Sequence, residues 1–179
     1  MASSLKGKRV AILVTDGFEQ VELTSPKQAL EAAGAQVDVL SDKRDRVQGM
    51  NHHDKGDTIA VNGTIDAANA ADYDGVVLPG GVANGDALRI VKEAQAFLKK
   101  IDAAKKPVAI ICHGGWLAVS TGLVKGHTMT SWPTLQDDIR NAGGTWVDRE
   151  VVRDGTWVTS RKPDDLPAFN KAVVDALAA

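Results

Sequence analysis

The chain has 179 residues, of which 44% are hydrophobic and 25% are charged, a composition typical of a globular protein about the size of one domain. A formal net charge of -2 gives no electrostatic reason to expect binding to nucleic acid or to an anionic membrane. No apolar run approaches the ~20 residues that span a bilayer, and the polar N-terminus has no signal-peptide core. The single cysteine, Cys112, excludes an internal disulfide. We therefore expect a cytoplasmic protein.

The first 40 residues predict a strand, a helix and a second strand. Residues 9–14 form a nearly continuous apolar run, typical of a strand buried on both faces. Residues 36–40 alternate like a second strand, and the pair is expected to be parallel. Pro26 either starts the intervening helix behind a Ser25 cap or lies inside a helix that begins nearer Glu19.

A charged, turn-rich stretch at 41–57 predicts an excursion at the edge of the sheet, with short strands at 47–50 and 58–61. This stretch contains His52 and His53. Adjacent histidines rarely chelate one ion, and no third ligand has matching spacing, so we favour a solvated loop over a metal site.

The rest of the chain alternates between buried strands and helices. Residues 76–78 and 108–111 are short apolar strands, and the first of them stops at Pro79-Gly80-Gly81. Further predicted elements are a helix whose apolar residues recur from 87 to 101, helices at 116–121, 134–142 and 167–177, and a hairpin around Asp154-Gly155. One doubly wound domain of residues 1–179, with a flexible tail at 1–8, accounts for this order.

Cys112 lies where a buried strand turns into a helix. Ligands of parallel α/β sheets bind at the C-terminal ends of the strands, so this cysteine points to the expected site. The layout is that of a nucleophile elbow, although Ile110 is larger than the usual glycine of the hydrolase motif. The following helix could lower the thiol pKa and favour the nucleophilic thiolate. With His113 and two glycines adjacent, we expect a reactive cysteine rather than a core cysteine.

The turn at Gly80-Gly81 and the acidic residues Glu19 and Asp86 are further candidates for residues of the functional site. Backbone N–H groups at Gly80 and Gly81 could converge as an oxyanion pocket, whereas the G-x-G-x-x-G spacing of a dinucleotide site is absent. Glu19 follows the first strand and could reach the sulfur if that strand neighbours the Cys112 strand. Instead of belonging to the site, Glu19 could be an ordinary surface residue of a helix, and Asp86 could cap a helix.

Four stretches, in this order, resemble the ThiJ/PfpI superfamily and especially its PfpI-type branch of intracellular proteases, deglycases and general stress proteins. They are residues 16–23 (DGFEQVEL), 78–81 (LPGG), 109–114 (AIICHG) and 160–166 (SRKPDDL). The resemblance implies a flavodoxin-like three-layer sandwich with a mostly parallel central sheet, of the class I glutamine amidotransferase-like type.

The resemblance also implies roles for particular residues. Cys112 would be the nucleophile, a protonated Glu19 would donate a hydrogen bond to its sulfur, and His113 would be general base or acid. Neither a cofactor nor a metal is implied. The remaining implied site residues are backbone oxyanion donors near Gly80, Gly81 and Gly114, and Trp132 as part of the pocket wall.

In the PfpI branch an acidic residue after the glycine turn is contributed by a neighbouring subunit and orients the histidine. Asp86 is the candidate here, although its loop is one residue longer and an aspartate replaces a glutamate. A homodimer or larger homo-oligomer is implied.

The resemblance predicts a stress-response cysteine hydrolase that attacks small carbonyl compounds or modified protein side chains. The alternatives are a cysteine peptidase with a composite Cys112, His113 and Asp86 site, and a non-catalytic redox sensor that responds through oxidation of Cys112.

Overall fold

The computed structural model describes residues 4–179, which form a seven-stranded central sheet with helices on both faces and two smaller sheets, one of three strands and one of two. The strands are β1 Arg9–Leu13, β2 Phe18–Glu19, β3 Gln36–Ser41, β4 Arg46–Asn51, β5 Asp54–Ala60, β6 Gly63–Thr64, β7 Gly75–Leu78, β8 Val108–Ile111, β9 Thr128–Met129, β10 Thr145–Trp146, β11 Val151–Asp154 and β12 Trp157–Ser160. The helices are α1 Gln20–Ala32, α2 Val82–Leu88, α3 Lys92–Ala103, α4 Gly115–Thr121, α5 Gln136–Asn141 and α6 Leu166–Ala178.

The central sheet has the strand order β11-β12-β8-β7-β1-β3-β6, and only β11 runs antiparallel to its neighbour. The mostly parallel α/β sheet predicted from the sequence is thereby confirmed. Strand β7 pairs with β8, so the glycine turn lies beside the Cys112 strand as expected. Strand β1 pairs with β3 and β7 instead of β8. The premise that the Glu19 segment follows a strand adjacent to the Cys112 strand is therefore wrong.

Alternate residues of the central strands supply two hydrophobic cores, one on each face of the sheet. In β1, Ala11 and Leu13 belong to the core under α3, α4 and α5, while Val10 and Ile12 belong to the core under α1 and α6. Because both faces are covered, these strands read as continuous apolar runs instead of an alternating pattern.

The edge excursion is a separate three-stranded sheet of β2, β4 and β5. Strands β4 and β5 form an antiparallel hairpin, and the two-residue strand β2 pairs in parallel with β4. Because β2 leads directly into α1, this pairing places the hairpin next to the start of α1, where Glu19 is located.

Helix α1 begins at Gln20 and contains Pro26, so Pro26 lies inside the helix and does not start it behind a Ser25 cap.

Several predicted boundaries need correction. The apolar pattern from 87 to 101 belongs to two helices, α2 and α3, and not to one. The prediction of a flexible tail is wrong for residues 4–8, because Leu5 is fully buried and its N–H donates to the carbonyl oxygen of Ala33 at 2.7 Å. Residues 1–3 of that predicted tail lie outside the described residues.

The hairpin around Asp154-Gly155 is confirmed as β11 and β12. No helix within residues 4–179 is long and apolar enough to cross a membrane.

Candidate active site

The strand-to-helix turn after β8 holds Cys112 in a strained conformation. Cys112 begins a one-turn 3-10 helix, Cys112–Gly114, that leads directly into α4. Its φ of 59° lies in the left-handed region that residues other than glycine rarely occupy. A side chain on Gly114 would collide with the carbonyl groups of Leu78 and Pro79, so a glycine is needed for the turn to pack against β7. The predicted elbow layout is confirmed.

A cavity of about 400 Å³ opens above this turn, at the C-terminal ends of the central strands. The thiol side chain of Cys112 is only 6% exposed, yet it forms part of the cavity wall. The other lining residues are Gly17, Glu19, Glu22, Met50, His52, His53, Gly81, Val82, Ala83, His113, Trp132 and Pro163. A small molecule can therefore approach the sulfur, although bulk water barely contacts it.

The carboxyl group beside the sulfur belongs to Glu22, and the expectation that Glu19 would occupy this place is wrong. Glu22 is fully buried on α1, and its Oε2 accepts a hydrogen bond from the backbone N–H of Gly80 at 2.7 Å. Its other oxygen, Oε1, has no well-aligned hydrogen-bond partner among the described residues. The Cys112 thiol is close enough for each of the two groups to shift the pKa of the other.

The pKa values of this buried pair are shifted upwards. Burial raises the pKa of Glu22 to about 8, against the opposing hydrogen bond from Gly80. Burial also raises the pKa of the Cys112 thiol, and the negative charge of an ionised Glu22 raises it further. Backbone N–H groups of His113 and Gly81 oppose both effects. The expectation of a lowered thiol pKa is therefore wrong, because burial, the largest of these effects, opposes ionisation of the thiol.

Glu19 lies on the same cavity wall but contacts the β4–β5 hairpin. Both of its carboxylate oxygens accept from the backbone N–H of His52, at 3.3 and 3.2 Å. His52 sits in the hairpin turn with a φ of 58°, and its Nδ1 is 3.8 Å from Glu19 Oε1. Thus Glu19 fixes the turn that brings His52 and His53 to the cavity.

His113 contacts the sulfur directly. Its Nδ1 lies 3.2 Å from Cys112 Sγ, within hydrogen-bonding distance. The imidazole stacks on Trp132, with ring centroids 5.7 Å apart, and meets the edge of Trp116 at 5.2 Å. Burial lowers the pKa of His113 and so favours the neutral imidazole. A neutral imidazole at this distance can accept the thiol proton.

The glycine turn divides its backbone donors between two partners. The N–H of Gly80 is used by Glu22, so the expectation that Gly80 contributes to an oxyanion pocket is wrong for this arrangement. The N–H groups of Gly81 and His113 instead point to the sulfur. Asn84, which is fully buried, holds the turn from below by donating to the carbonyls of Pro79 and Gly80 at 3.1 and 3.0 Å.

Asp86 does not join the site within one chain. It is exposed on α2, and no hydrogen bond or ion pair in the described part of the chain connects it to His113. The same helix and the turn after it expose two large apolar side chains, Val82 at 59% and Ile90 at 76%. Any role of Asp86 at His113 would therefore need a second subunit.

The sequence did contain a signal for Glu22. The buried residues of α1 are Glu22, Leu23, Pro26 and Leu30, which recur at the spacing of one helix face. A carboxyl group on the apolar stripe of a helix must find a buried partner or be protonated. The lining histidines of the hairpin had no comparable signal, because their position depends on how two sheets pack.

Comparisons with known proteins identify the family of the chain. A sequence model of the DJ-1/PfpI family matches residues 8–176. A deglycase of Thermococcus kodakarensis is 41% identical over 94% of this chain and 99% of its own length. Deglycase PfpI of Pyrococcus furiosus is 38% identical over the same shares of the two chains. A Bacillus subtilis protein described as a candidate cysteine protease is 38% identical, over 95% of this chain and 98% of its own.

Solved structures share the fold. Drosophila melanogaster DJ-1beta superimposes with a TM-score of 0.86 at 26% identity, over 96% of this chain and 90% of that one. A two-domain protein from Anabaena variabilis, with DJ-1/ThiJ/PfpI-like and ferritin-like domains, gives a TM-score of 0.89 at 31% identity. That match covers 94% of this chain and 47% of the larger protein. The predicted flavodoxin-like sandwich and the predicted family are both confirmed.

Proposed function

Because the chain belongs to the DJ-1/PfpI family, we propose that it is a cysteine-dependent hydrolase that removes carbonyl adducts of the methylglyoxal type. The observation that carries this proposal is the sulfur of Cys112 at the wall of an open cavity, 3.2 Å from His113 Nδ1 and next to a buried carboxyl group. Relatives named as deglycases support the same chemistry. A free thiol as the single cysteine fits a reducing, cytoplasmic setting.

The buried acid provides a way to form the thiolate despite burial. With a pKa of about 8, Glu22 retains its proton at neutral pH, and a protonated carboxyl group can donate a hydrogen bond to sulfur. Protonation also removes the negative charge that opposes ionisation of Cys112. His113 then accepts the thiol proton, and the N–H groups of Gly81 and His113 add two further donors.

The proposed reaction begins with attack of the Cys112 thiolate on a carbonyl carbon. A carbon–sulfur bond forms while the π electrons move to the carbonyl oxygen, whose negative charge is stabilised by backbone donors of the Gly81 turn. For a methylglyoxal adduct, that carbonyl is the aldehyde freed when the carbon–carrier bond breaks and the proton of the adduct hydroxyl passes through His113 to the carrier. After the attack, the hydrogen on the aldehyde carbon is lost as a proton and the ketone carbon gains one through an enediol, which gives a lactoyl thioester. Water hydrolyses this thioester, so the products are lactate, the free carrier group and the regenerated thiol. Water is the sole co-reactant, because oxidation of the aldehyde carbon is balanced by reduction of the neighbouring ketone carbon.

The proposed acid–base partner of His113 is Asp86 from a second copy of the chain. The exposed Val82 and Ile90 supply an apolar surface next to Asp86, as expected for a contact between subunits. An aspartate at that contact would orient the imidazole and stabilise its protonated form.

The test is a rate measurement with purified protein and methylglyoxal adducts of N-acetylargininamide and of a simple thiol. Lactate and the free carrier are measured together. We expect release of both, and a loss of at least about a thousandfold in Cys112→Ser, since an alcohol is a far weaker nucleophile at neutral pH. Turnover that survives in Cys112→Ser would contradict the proposal.

A further inference from the structure

The cavity around Cys112 contains acids and imidazoles but no permanent cation. Among the described residues that line it, none is lysine or arginine. Its ionisable side chains other than the cysteine are Glu19, Glu22, His52, His53 and His113. A site built to bind a carboxylate or a phosphate group would normally supply arginine or lysine donors. The lining therefore provides no charged partner for an anionic substrate.

The negative charge of the wall comes from Glu19. Glu22 holds its proton at neutral pH, because burial raises its pKa to about 8. Among residues 4–179, the two oxygens of Glu19 share one hydrogen-bond donor, the backbone N–H of His52, and so keep lone pairs for a further donor. The Glu19 side chain is 12% exposed and contacts His52, whose side chain is 79% exposed. Glu19 and His52 both line the cavity that contains Cys112, so a substrate in this cavity meets the Glu19 carboxylate.

The two basic residues next to the lining residue Pro163 do not compensate this charge. Arg161 and Lys162 precede the lining residue Pro163, yet both are engaged with carboxylates. Arg161 bonds Asp165 at 2.9 Å and Asp148 at 2.8 Å, and Lys162 lies 3.6 Å from Asp164.

We infer that Glu19 is a specificity-determining residue that favours carbonyl adducts on cationic carriers, such as a guanidinium, over adducts on carboxylates or phosphates. The inference rests on the proposed function and names the substrate class within it. Glu19 lines the same cavity as Cys112, so the carrier group of an adduct that reacts at Cys112 lies within the electrostatic field of the Glu19 carboxylate. A positive carrier is attracted there and a negative carrier is repelled.

The experiment uses three methylglyoxal hemithioacetals with the same reacting centre and nearly the same length. The carriers are thiocholine, 2-mercaptoethanol and 3-mercaptopropionate, which are cationic, neutral and anionic. Thiocholine is quaternary and cannot cyclise with the aldehyde. In the wild-type protein we expect kcat/KM to be highest for the thiocholine adduct, lower for the 2-mercaptoethanol adduct and lowest for the 3-mercaptopropionate adduct, with about a tenfold difference between the extremes. Raising the ionic strength should reduce this difference in kcat/KM.

Glu19→Gln removes the charge and keeps an oxygen that can accept from the His52 N–H. We expect it to reduce the ratio of thiocholine to 3-mercaptopropionate kcat/KM to about two. The matched control is Glu31→Gln on the exposed face of α1, where Glu31 pairs with Lys27, and its ratio should equal that of the wild type. Protection of the His52 amide from hydrogen exchange shows whether the hairpin turn is retained.

The outcomes separate this inference from the proposed function. Rates that depend only on free methylglyoxal, with no effect of carrier charge, would overturn the inference and leave a Cys112-dependent hydrolase intact. A carrier preference that persists in Glu19→Gln would also overturn it. Absence of turnover with all three carriers would overturn the proposed function, and the inference would fall with it.

Discussion

Glu22 of α1 and Cys112 of the turn after β8 both pack against Gly80, at a place that bulk water barely reaches. Glu22 Oε2 is held by the N–H of Gly80 at 2.7 Å, while Oε1 has no aligned partner in the described part of the chain. A side chain on Gly80 would collide with both Glu22 and Cys112, so the glycine permits their approach. This arrangement explains why the pKa values of both groups are raised.

The raised pKa of Glu22 predicts a pH dependence of stability. In the unfolded chain a glutamate loses its proton near its ordinary pKa of about 4.3, whereas the folded protein keeps that proton until about pH 8. The contribution of Glu22 to the free energy of unfolding is therefore fully present below pH 4 and is lost as the pH rises to about 8. Glu22→Gln should remove this decline, measured by urea unfolding at several pH values.

The size of the effect is a few kcal/mol between pH 5 and pH 8, since each unit of pKa difference corresponds to about 1.4 kcal/mol. Glu31→Gln serves as the control, because Glu31 is an exposed member of an ion pair on the same helix. Parallel stability curves for wild type and Glu22→Gln would show that Glu22 does not hold a proton in the folded state.

The reactivity of Cys112 should depend on Glu22 more than on Glu19. Glu22→Leu removes the hydrogen-bond donor next to the sulfur, and we expect alkylation of Cys112 by iodoacetamide at pH 7 to slow by about tenfold. Glu19→Leu should have a smaller effect, because Glu19 bonds the backbone of His52 instead of the sulfur. The measurement is the second-order rate of mass gain at Cys112. The reverse order of effects would restore Glu19 as the activating group.

The sequence predicts the central sheet and the strand-to-helix turn at Cys112, but it does not predict which carboxyl group lies beside the sulfur. Strands such as β7 and β8 are short apolar runs with glycines after them, so their positions and the location of Cys112 follow from local pattern. Glu22 lies on the apolar stripe of α1, which indicates a buried carboxyl group, but the pattern alone does not show that this group meets the sulfur. That contact depends on the placement of α1, which packs on α6 and β3 far along the chain.

Gly81 should not tolerate a side chain. Its φ is 86°, and a Cβ there would collide with the Gly17 carbonyl and with the backbone of Phe18 and Glu19. Gly81→Ala is expected to destabilise the protein by roughly 3 kcal/mol and to lower Tm by about 6 to 12 °C. The N–H that Gly81 directs to Cys112 would move as well, so kcat should fall even in the folded fraction. A variant with normal Tm and normal kcat would show that the turn is not constrained in this way.

The exposed surface of α2 and of the turn after it should be a contact between copies of the chain that completes the site. Ile90 is 76% exposed, and burial of such side chains in an interface stabilises an assembly by removing apolar surface from water. Ile90→Glu should therefore shift the protein to monomers in analytical ultracentrifugation and lower kcat. Asp86→Asn should lower kcat by about ten- to a hundredfold while the assembly persists, because an amide stabilises a protonated His113 less than a carboxylate does. Asp137→Asn on the exposed face of α5 is the control for the change in net charge. A wild-type protein that is monomeric at assay concentrations and fully active would contradict both expectations.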